Sequence, residues 1–242
     1  LSQPKTILFV GGCPRSGTTA LTRLLNCHPD ILLGNERYYW PMDKHHATPD
    51  LFDRARFLEI REGDTHSGAR DPYAGSDADQ KFDGARYVGD KYPPIYRAYD
   101  FLAERFPDAR VIAIVRNPFS VAESYEVRAR NDGDDWRRDH AQGIRDWSAS
   151  VVRTAKAVES GMKVTVVSYE RLFAAGADIS PLYAALGLDP APAFPAADGI
   201  LQHAQRVGAK PAPRNDTIRF EVALKAQFGP YRKLVTEHCI FG

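Results

Sequence analysis

The stretch Thr6-Ile-Leu-Phe-Val-Gly-Gly-Cys-Pro-Arg-Ser-Gly-Thr-Thr19 decides the fold. Its first five residues form an apolar run without alternation, the pattern of a parallel strand covered on both faces. From Ser16 to Asn26, Ala20, Leu21, Leu24 and Leu25 recur at helical spacing until His28-Pro29 ends the pattern. Strand, glycine loop and helix in that order make a receptor for an anion, because loop N–H groups and the helix N-terminus converge on it. Gly12 and Gly17 have the separation found in G-x-x-x-x-G-K-[ST], but Thr18 stands where that pattern has lysine, and Arg15 is the cation within the loop. The lysine that reaches the outer phosphates of a nucleoside triphosphate is therefore missing, and no carboxylate after a second strand is evident to help hold magnesium.

Working outward, Ala109 to Val115 and Lys163 to Ser168 read as two further buried strands. Helical patterns fill Ile95 to Arg105, Phe119 to Arg130 and Gln142 to Glu159. Strands alternating with helices predict an α/β fold, a P-loop-like parallel β-sheet flanked by helices on both faces, with residues 1–242 as a single domain. Two segments break the rhythm. Residues 62–84 are rich in Asp, Gly, Ser and Arg and read as a surface loop or lid. Residues 189–212 are rich in Pro and Ala and read as a mobile stretch folding over the ligand edge of the sheet. Trp136 and Trp147 fall in helical patterns and are expected in the core, while His45-His46 reads as a solvated loop pair and not a metal site.

A chain of 242 residues has enough material for one large core, and its formal net charge of +1 leaves no global field for nucleic acid or an anionic membrane. Any anion site must be local. Three cysteines, Cys13, Cys27 and Cys239, at unrelated spacings favour reduced thiols. No run approaches the roughly 18 apolar residues of a membrane span. The first residues lead into a strand without a signal-peptide pattern, so a cytoplasmic setting is expected, with an upstream anchor left open.

Arg116 comes at the carboxyl end of the second strand, where open α/β sheets bind ligands. Ser124 and Arg128 follow at i and i+4 on one helix and share a face. Here the sequence resembles a known family. Pro14-Arg-Ser-Gly-Thr-Thr19 resembles the 5′-phosphosulfate loop of sulfotransferases that use 3′-phosphoadenosine 5′-phosphosulfate (PAPS), and Arg116 with Ser124 resembles their 3′-phosphate motif. Val167-Ser-Tyr-Glu-Arg-Leu172 is similar to a segment after a later strand in these enzymes. The likeness covers roughly residues 6 to 174. It is nearest to the tyrosylprotein type at Gly11 to Glu36 and at Arg116, Ser124 and Arg128.

The resemblance implies PAPS as donor, with no metal, held by Arg15, Ser16, Gly17, Thr18, Thr19, Arg116, Ser124 and Arg128. It also implies the catalytic groups. Small-phenol and steroid sulfotransferases place a histidine base two residues after a lysine; here Lys91 is followed by Pro93 in that place. The tyrosylprotein and heparan types use a glutamate, and Glu36 falls at that position, with Asn35 replacing a neighbouring carboxylate. Glu36 is thus the expected general base, or else a surface carboxylate paired with Arg37. Lys91 and Arg15 are expected to stabilise the charge that develops during transfer. Arg37, Tyr38, Tyr39 and Trp40 are the expected acceptor contacts, although the aromatic run reads equally as buried packing. Tyr38 stands where the peptide enzymes carry an arginine, which favours a carbohydrate or small natural-product hydroxyl over a peptide. No nucleic acid is expected as a partner, and a homodimer is left open. The rival readings are a nucleotide kinase or NTPase, a tyrosylprotein sulfotransferase, and a degenerate P-loop scaffold that only binds.

Overall fold

The structure, a computed structural model, describes residues 5–64, 77–133, 135–208 and 213–241. Five strands, β1 (Thr6–Gly12), β2 (Ile31–Asn35), β3 (Tyr87–Lys91), β4 (Arg110–Val115) and β5 (Val164–Ser168), form one sheet in the order β2-β3-β1-β4-β5. Every pairing is parallel. The helices are α1 (Thr18–Leu25), α2 (Tyr39–Asp43), α3 (Arg54–Leu58), α4 (Ala78–Gly84), α5 (Tyr99–Arg105), α6 (Pro118–Ala129), α7 (His140–Glu159), α8 (Tyr169–Leu172), α9 (Ser180–Ala184), α10 (Phe194–Gly208), α11 (Asp216–Lys225) and α12 (Phe228–Lys233). The α/β class and the parallel sheet expected from the apolar runs are what the chain forms.

Side chains on a strand alternate between faces, and each face here has its own core. Leu8 and Val10 join Leu21, Leu24 and Leu25 of α1 and Ile112 and Ile114 of β4 on one side. Phe9, Leu32, Val88 and Val111 meet Tyr99, Leu102 and Phe106 on the other. Burying one such side chain completely stabilises by about 1.5–3 kcal/mol. Both faces are therefore needed to offset the ordering of the chain.

Helix starts follow local chemistry. Asn117 accepts from Phe119 N at 2.9 Å and Pro118 occupies the first turn of α6. Asp139 accepts from Gln142 N at 2.9 Å and starts α7 two residues before the expected Gln142. The helix expected over Ile95 to Arg105 is split. A 3-10 turn, Ile95–Arg97, precedes α5, with Ala98 between them.

Two expectations are corrected. Residues 189–212 contain an ordered helix, α10, and not a structureless flap; residues 209–212 lie outside the described residues. Ala193, Ala197 and Ala204 are buried in the α1 core, and their small size lets the backbone approach closely. Pro190, Pro192 and Pro195 all sit at or before the first turn, where proline is tolerated. Within 62–84, Asp64 is buried against Arg37 and Arg56, and α4 buries Phe82; residues 65–76 lie outside the described residues. Among the described residues no helix is long and apolar enough to cross a membrane.

One joint between helices is pH-sensitive. His140 at the start of α7 meets Glu126 of α6 at 2.7 Å and Glu221 of α11 at 3.4 Å. Burial opposes its protonation, but the two carboxylates outweigh that and raise its pKa. A raised histidine stabilises fully below its unfolded value, about 6.5, and the contribution is lost as pH rises through the folded value. Urea midpoints measured from pH 5.5 to 9 should fall over that upper range in the native chain and show less of this fall in His140→Gln. Parallel curves would rule the joint out.

Candidate active site

All five strands aim their carboxyl ends at one edge, and the sheet order reverses between β1 and β4. β1 connects onward past β3 to β2, whereas β4 and β5 extend the other way, leaving a crevice at the switch point. Register sets what meets there. Lys91 at the end of β3 lies opposite Val10 of β1 and Asn35 of β2, and Gly12 lies opposite Ile114 of β4. A cavity of about 1310 Å³ opens at this edge.

The β1 loop forms one wall. Gly17 caps α1 with φ 94°, a left-handed conformation suited to glycine. A Cβ there would also lie 2.6 Å from the Tyr169 ring. That ring supports the Arg116 guanidinium, 4.0 Å from its centroid. Arg116 donates to Arg15 O at 3.0 Å, Trp147 Nε1 donates to Arg116 O at 2.8 Å, and Arg15 Nε donates to Ser124 Oγ at 3.0 Å. The loop after β1, the end of β4 and helix α6 are thereby tied into one cationic unit. Ser16 is fully buried, and its Oγ has no hydrogen-bond partner among the described residues. A buried hydroxyl of this kind beside a helix N-terminus is a donor suited to an anion.

Lys91 is 2 % exposed and donates to Thr19 Oγ1 at 3.0 Å and to Glu36 Oε1 at 2.6 Å. Glu36 is thereby paired with Lys91. It follows β2 directly in a left-handed conformation, φ 60°, with its N–H bonded to Lys91 O at 3.0 Å. Arg15 is left-handed as well, φ 70°. Such conformations cost a non-glycine residue about 1–2 kcal/mol and gather where function over-determines the backbone.

The cavity is lined by Arg15, Arg23, Arg116, Arg128, Arg137 and Arg138, against the carboxylates Glu36 and Asp135. A chain of net charge +1 thus concentrates cations at one place. Arg15, Gly17, Thr18, Thr19, Glu36, Arg116, Ser124 and Arg128 all line it, as do Tyr39 and Trp40. Lys91 touches it through Thr19 and Glu36.

Arg37 and Tyr38, expected as acceptor contacts, do not line it. Arg37 is buried between Asp64 and the carbonyls of Phe57 and Glu59, and Tyr38 is fully buried with its hydroxyl donating to Leu51 O at 2.8 Å. Trp136, expected in a helical core, packs partly buried against the cluster of Val121, Tyr125 and Trp147 but lies outside any helix, and it also lines the cavity, between Arg128 at 4.5 Å and Arg138 at 5.2 Å from its ring. Trp147, by contrast, is buried in α7.

Sequence reasoning also missed Ile200 and His203 of α10 and Arg23 of α1 as lining residues. Arg23 stands four residues after Thr19, a helical spacing that offered a signal. His28 is a brace: Asp30 N donates to its Nδ1 at 3.0 Å, so Nε2 carries the proton toward Asp189 O at 2.8 Å. The cysteines are free thiols; burial, then Asp146, pushes the Cys13 thiol up, so this loop cysteine stays neutral. Among the described residues no cluster of three metal-ligating side chains occurs, and His45 stacks on Phe101.

The sequence profile of the sulfotransferase family matches residues 8–192, more than half of the chain, and the chain belongs to that family. It is 32% identical to protein-tyrosine sulfotransferase 1 of Mus musculus over 120 residues, 46% of this chain and 31% of the relative. It is 33% identical to nodulation protein NoeE of Sinorhizobium fredii over 128 residues, 49% of this chain and 30% of that one. The chain therefore spans about a third of the length of these curated relatives. Among solved structures, the sulfotransferase domain of the Synechococcus PCC 7002 olefin synthase has a TM-score of 0.52 at 22% identity, covering 78% of this chain and 75% of that one. That likeness shows a shared fold.

Proposed function

We propose that this chain transfers a sulfuryl group from PAPS to an acceptor hydroxyl, with Glu36 as general base. One observation carries the reading: the buried Lys91 joins Thr19 of the anion loop to Glu36 on the wall of an arginine-lined cavity. The donor supplies a sulfuryl group on a 5′-phosphate and a separate 3′-phosphate. The residues present fit both. The orphaned Ser16 hydroxyl, the N–H groups before α1 and Thr18 and Thr19 suit the 5′ end, while Arg116, Ser124 and Arg128 suit the 3′-phosphate.

Glu36 is placed to take the acceptor proton, and Lys91 and Arg15 to hold charge that builds toward the leaving phosphate. These cations do the work that magnesium does at a nucleoside-triphosphate site, so turnover is expected to survive chelation by EDTA. Tyr39 and Trp40 pack edge to face at 5.2 Å beside Glu36, and Trp40 is 52% exposed. An exposed indole next to the base suits the apolar face of a sugar or a small ring compound. The name of one relative points to protein tyrosine instead, and a tyrosine-containing peptide belongs on the acceptor panel beside glycans and small phenols.

The experiment that tests the donor assignment is calorimetry with adenosine 3′,5′-bisphosphate. The native chain should bind it, and Arg116→Ala should weaken binding by about 10- to 100-fold, the size of one or two hydrogen bonds to a charged group. No binding by the native chain would sink the reading, and magnesium-dependent ATP turnover would replace it with a kinase.

A further inference from the structure

Asp90, the residue before Lys91 on β3, is fully buried and has no part in the chemistry proposed above. Its carboxylate accepts three backbone N–H groups. Oδ1 takes Arg37 N at 3.2 Å and Lys91 N at 2.9 Å, and Oδ2 takes Tyr38 N at 2.8 Å. Two of those donors are the residues immediately after Glu36; the third belongs to Lys91 itself. One side chain thus clasps the ends of two neighbouring strands where each delivers its functional residue.

The neighbouring strand leaves room for this clasp. Gly34 of β2 is the register partner of Asp90, and a Cβ on Gly34 would lie 2.8 Å from Asp90 Oδ1. Any larger residue at 34 would push the carboxylate off the turn. The turn also needs an outside hold, because Glu36 sits at φ 60°, which a glutamate does not adopt for its own sake. A carboxylate is suited to the task, since both its oxygens are acceptors. An asparagine has one acceptor oxygen and would turn an NH₂ group toward donors.

We propose that Asp90 is a positioning residue for the Glu36–Lys91 pair. It fixes the left-handed turn at Glu36 and the end of β3 against each other, with Gly34 as the space that admits it. This rests on the reading of Glu36 as the base.

The test compares Asp90→Asn and Gly34→Ala with the native chain and with Glu36→Gln, using labelled PAPS with methyl glucoside, whose hydroxyls need a base, as acceptor probe. Amide hydrogen exchange supplies a readout independent of turnover. Each of the two variants should lower kcat by about 10- to 100-fold, the penalty for misplacing a reacting group by about an ångström. Affinity for adenosine 3′,5′-bisphosphate should change by less than about twofold, and the Arg37 and Tyr38 amides should exchange faster while those of β1 do not. Combined with Glu36→Gln, either variant should lower turnover by clearly less than the product of the two single losses, because residues acting through a shared group are not additive.

Multiplicative losses, or unchanged exchange at Arg37 and Tyr38, would overturn the proposal. Full turnover in Glu36→Gln alone would overturn the reading of the base. The exchange data would then still decide whether Asp90 holds the turn.

Discussion

Lys91→Met is expected to lower kcat by about 10²- to 10³-fold, the loss seen when one preorganised donor to a developing charge is removed. Lys91 reaches the site from the end of β3, between β2 and the central strand β1, 2 % exposed, with Nζ fixed by Thr19 and Glu36. A cation held this way pays little reorganisation at the moment of transfer, and burial keeps water from screening it. Methionine has nearly the same length and fills the same channel. Glu36, 24% exposed, can turn to water when its partner is gone, so stability should fall by only about 1 kcal/mol.

The informative contrast is between turnover and binding. If Lys91 acts on the transition state, kcat falls while affinity for adenosine 3′,5′-bisphosphate drops by about tenfold at most. Equal losses in both would make Lys91 a plain anchor for the phosphate. Unchanged turnover would remove it from the chemistry. Calorimetry and single-turnover kinetics on the same preparation separate the three.

The arginine-bearing wall of this cavity was legible because it hangs on strands that announce themselves. β1, β4 and β5 are apolar runs buried on both faces; Arg116 follows β4 directly, and Arg15 stands three residues after the end of β1. A residue fixed to a strand end is placed by the sheet, so spacing along the chain converts into position in space.

β2 was not legible. Ile31–Asn35 has three apolar residues before Gly34-Asn35, which are poor strand formers. It is a strand because β3 pairs with it and because the Asn26 side chain imitates a further strand, accepting from Leu33 N at 2.8 Å and donating to Leu33 O at 2.9 Å. Both are tertiary facts with no local signature.

The path of the chain after Glu36 was hidden for a related reason. Arg37, Tyr38, Tyr39 and Trp40 are consecutive, but the left-handed turn at Glu36 redirects the chain. Arg37 and Tyr38 enter the core, while Tyr39 opens α2 at the cavity. Direction after a turn depends on its dihedral angles, and those are set by Asp90, more than fifty residues away in sequence. Likewise Ile200 and His203 reach the cavity only because three alanines dock α10 onto α1.

Glu36→Gln is expected to lower kcat by about 10²- to 10⁴-fold, the usual worth of a positioned base. The substitution is nearly isosteric and keeps an oxygen for Lys91 Nζ, so the turn and the lysine should stay in place. What disappears is the capacity to accept the proton of the attacking hydroxyl. One consequence follows that a merely structural role would not produce. Acceptors with more acidic hydroxyls, such as nitrophenols, should lose far less than sugars or simple alcohols, because their proton leaves with less help. A uniform loss across both acceptor types would mean that Glu36 only orients the acceptor or Lys91. Turnover within about threefold of the native chain would exclude it as the base and return the search to the other groups lining the cavity. Affinity for adenosine 3′,5′-bisphosphate should be nearly unchanged in either case, since Glu36 faces the acceptor side. This reading therefore stands or falls separately from the assignment of the donor.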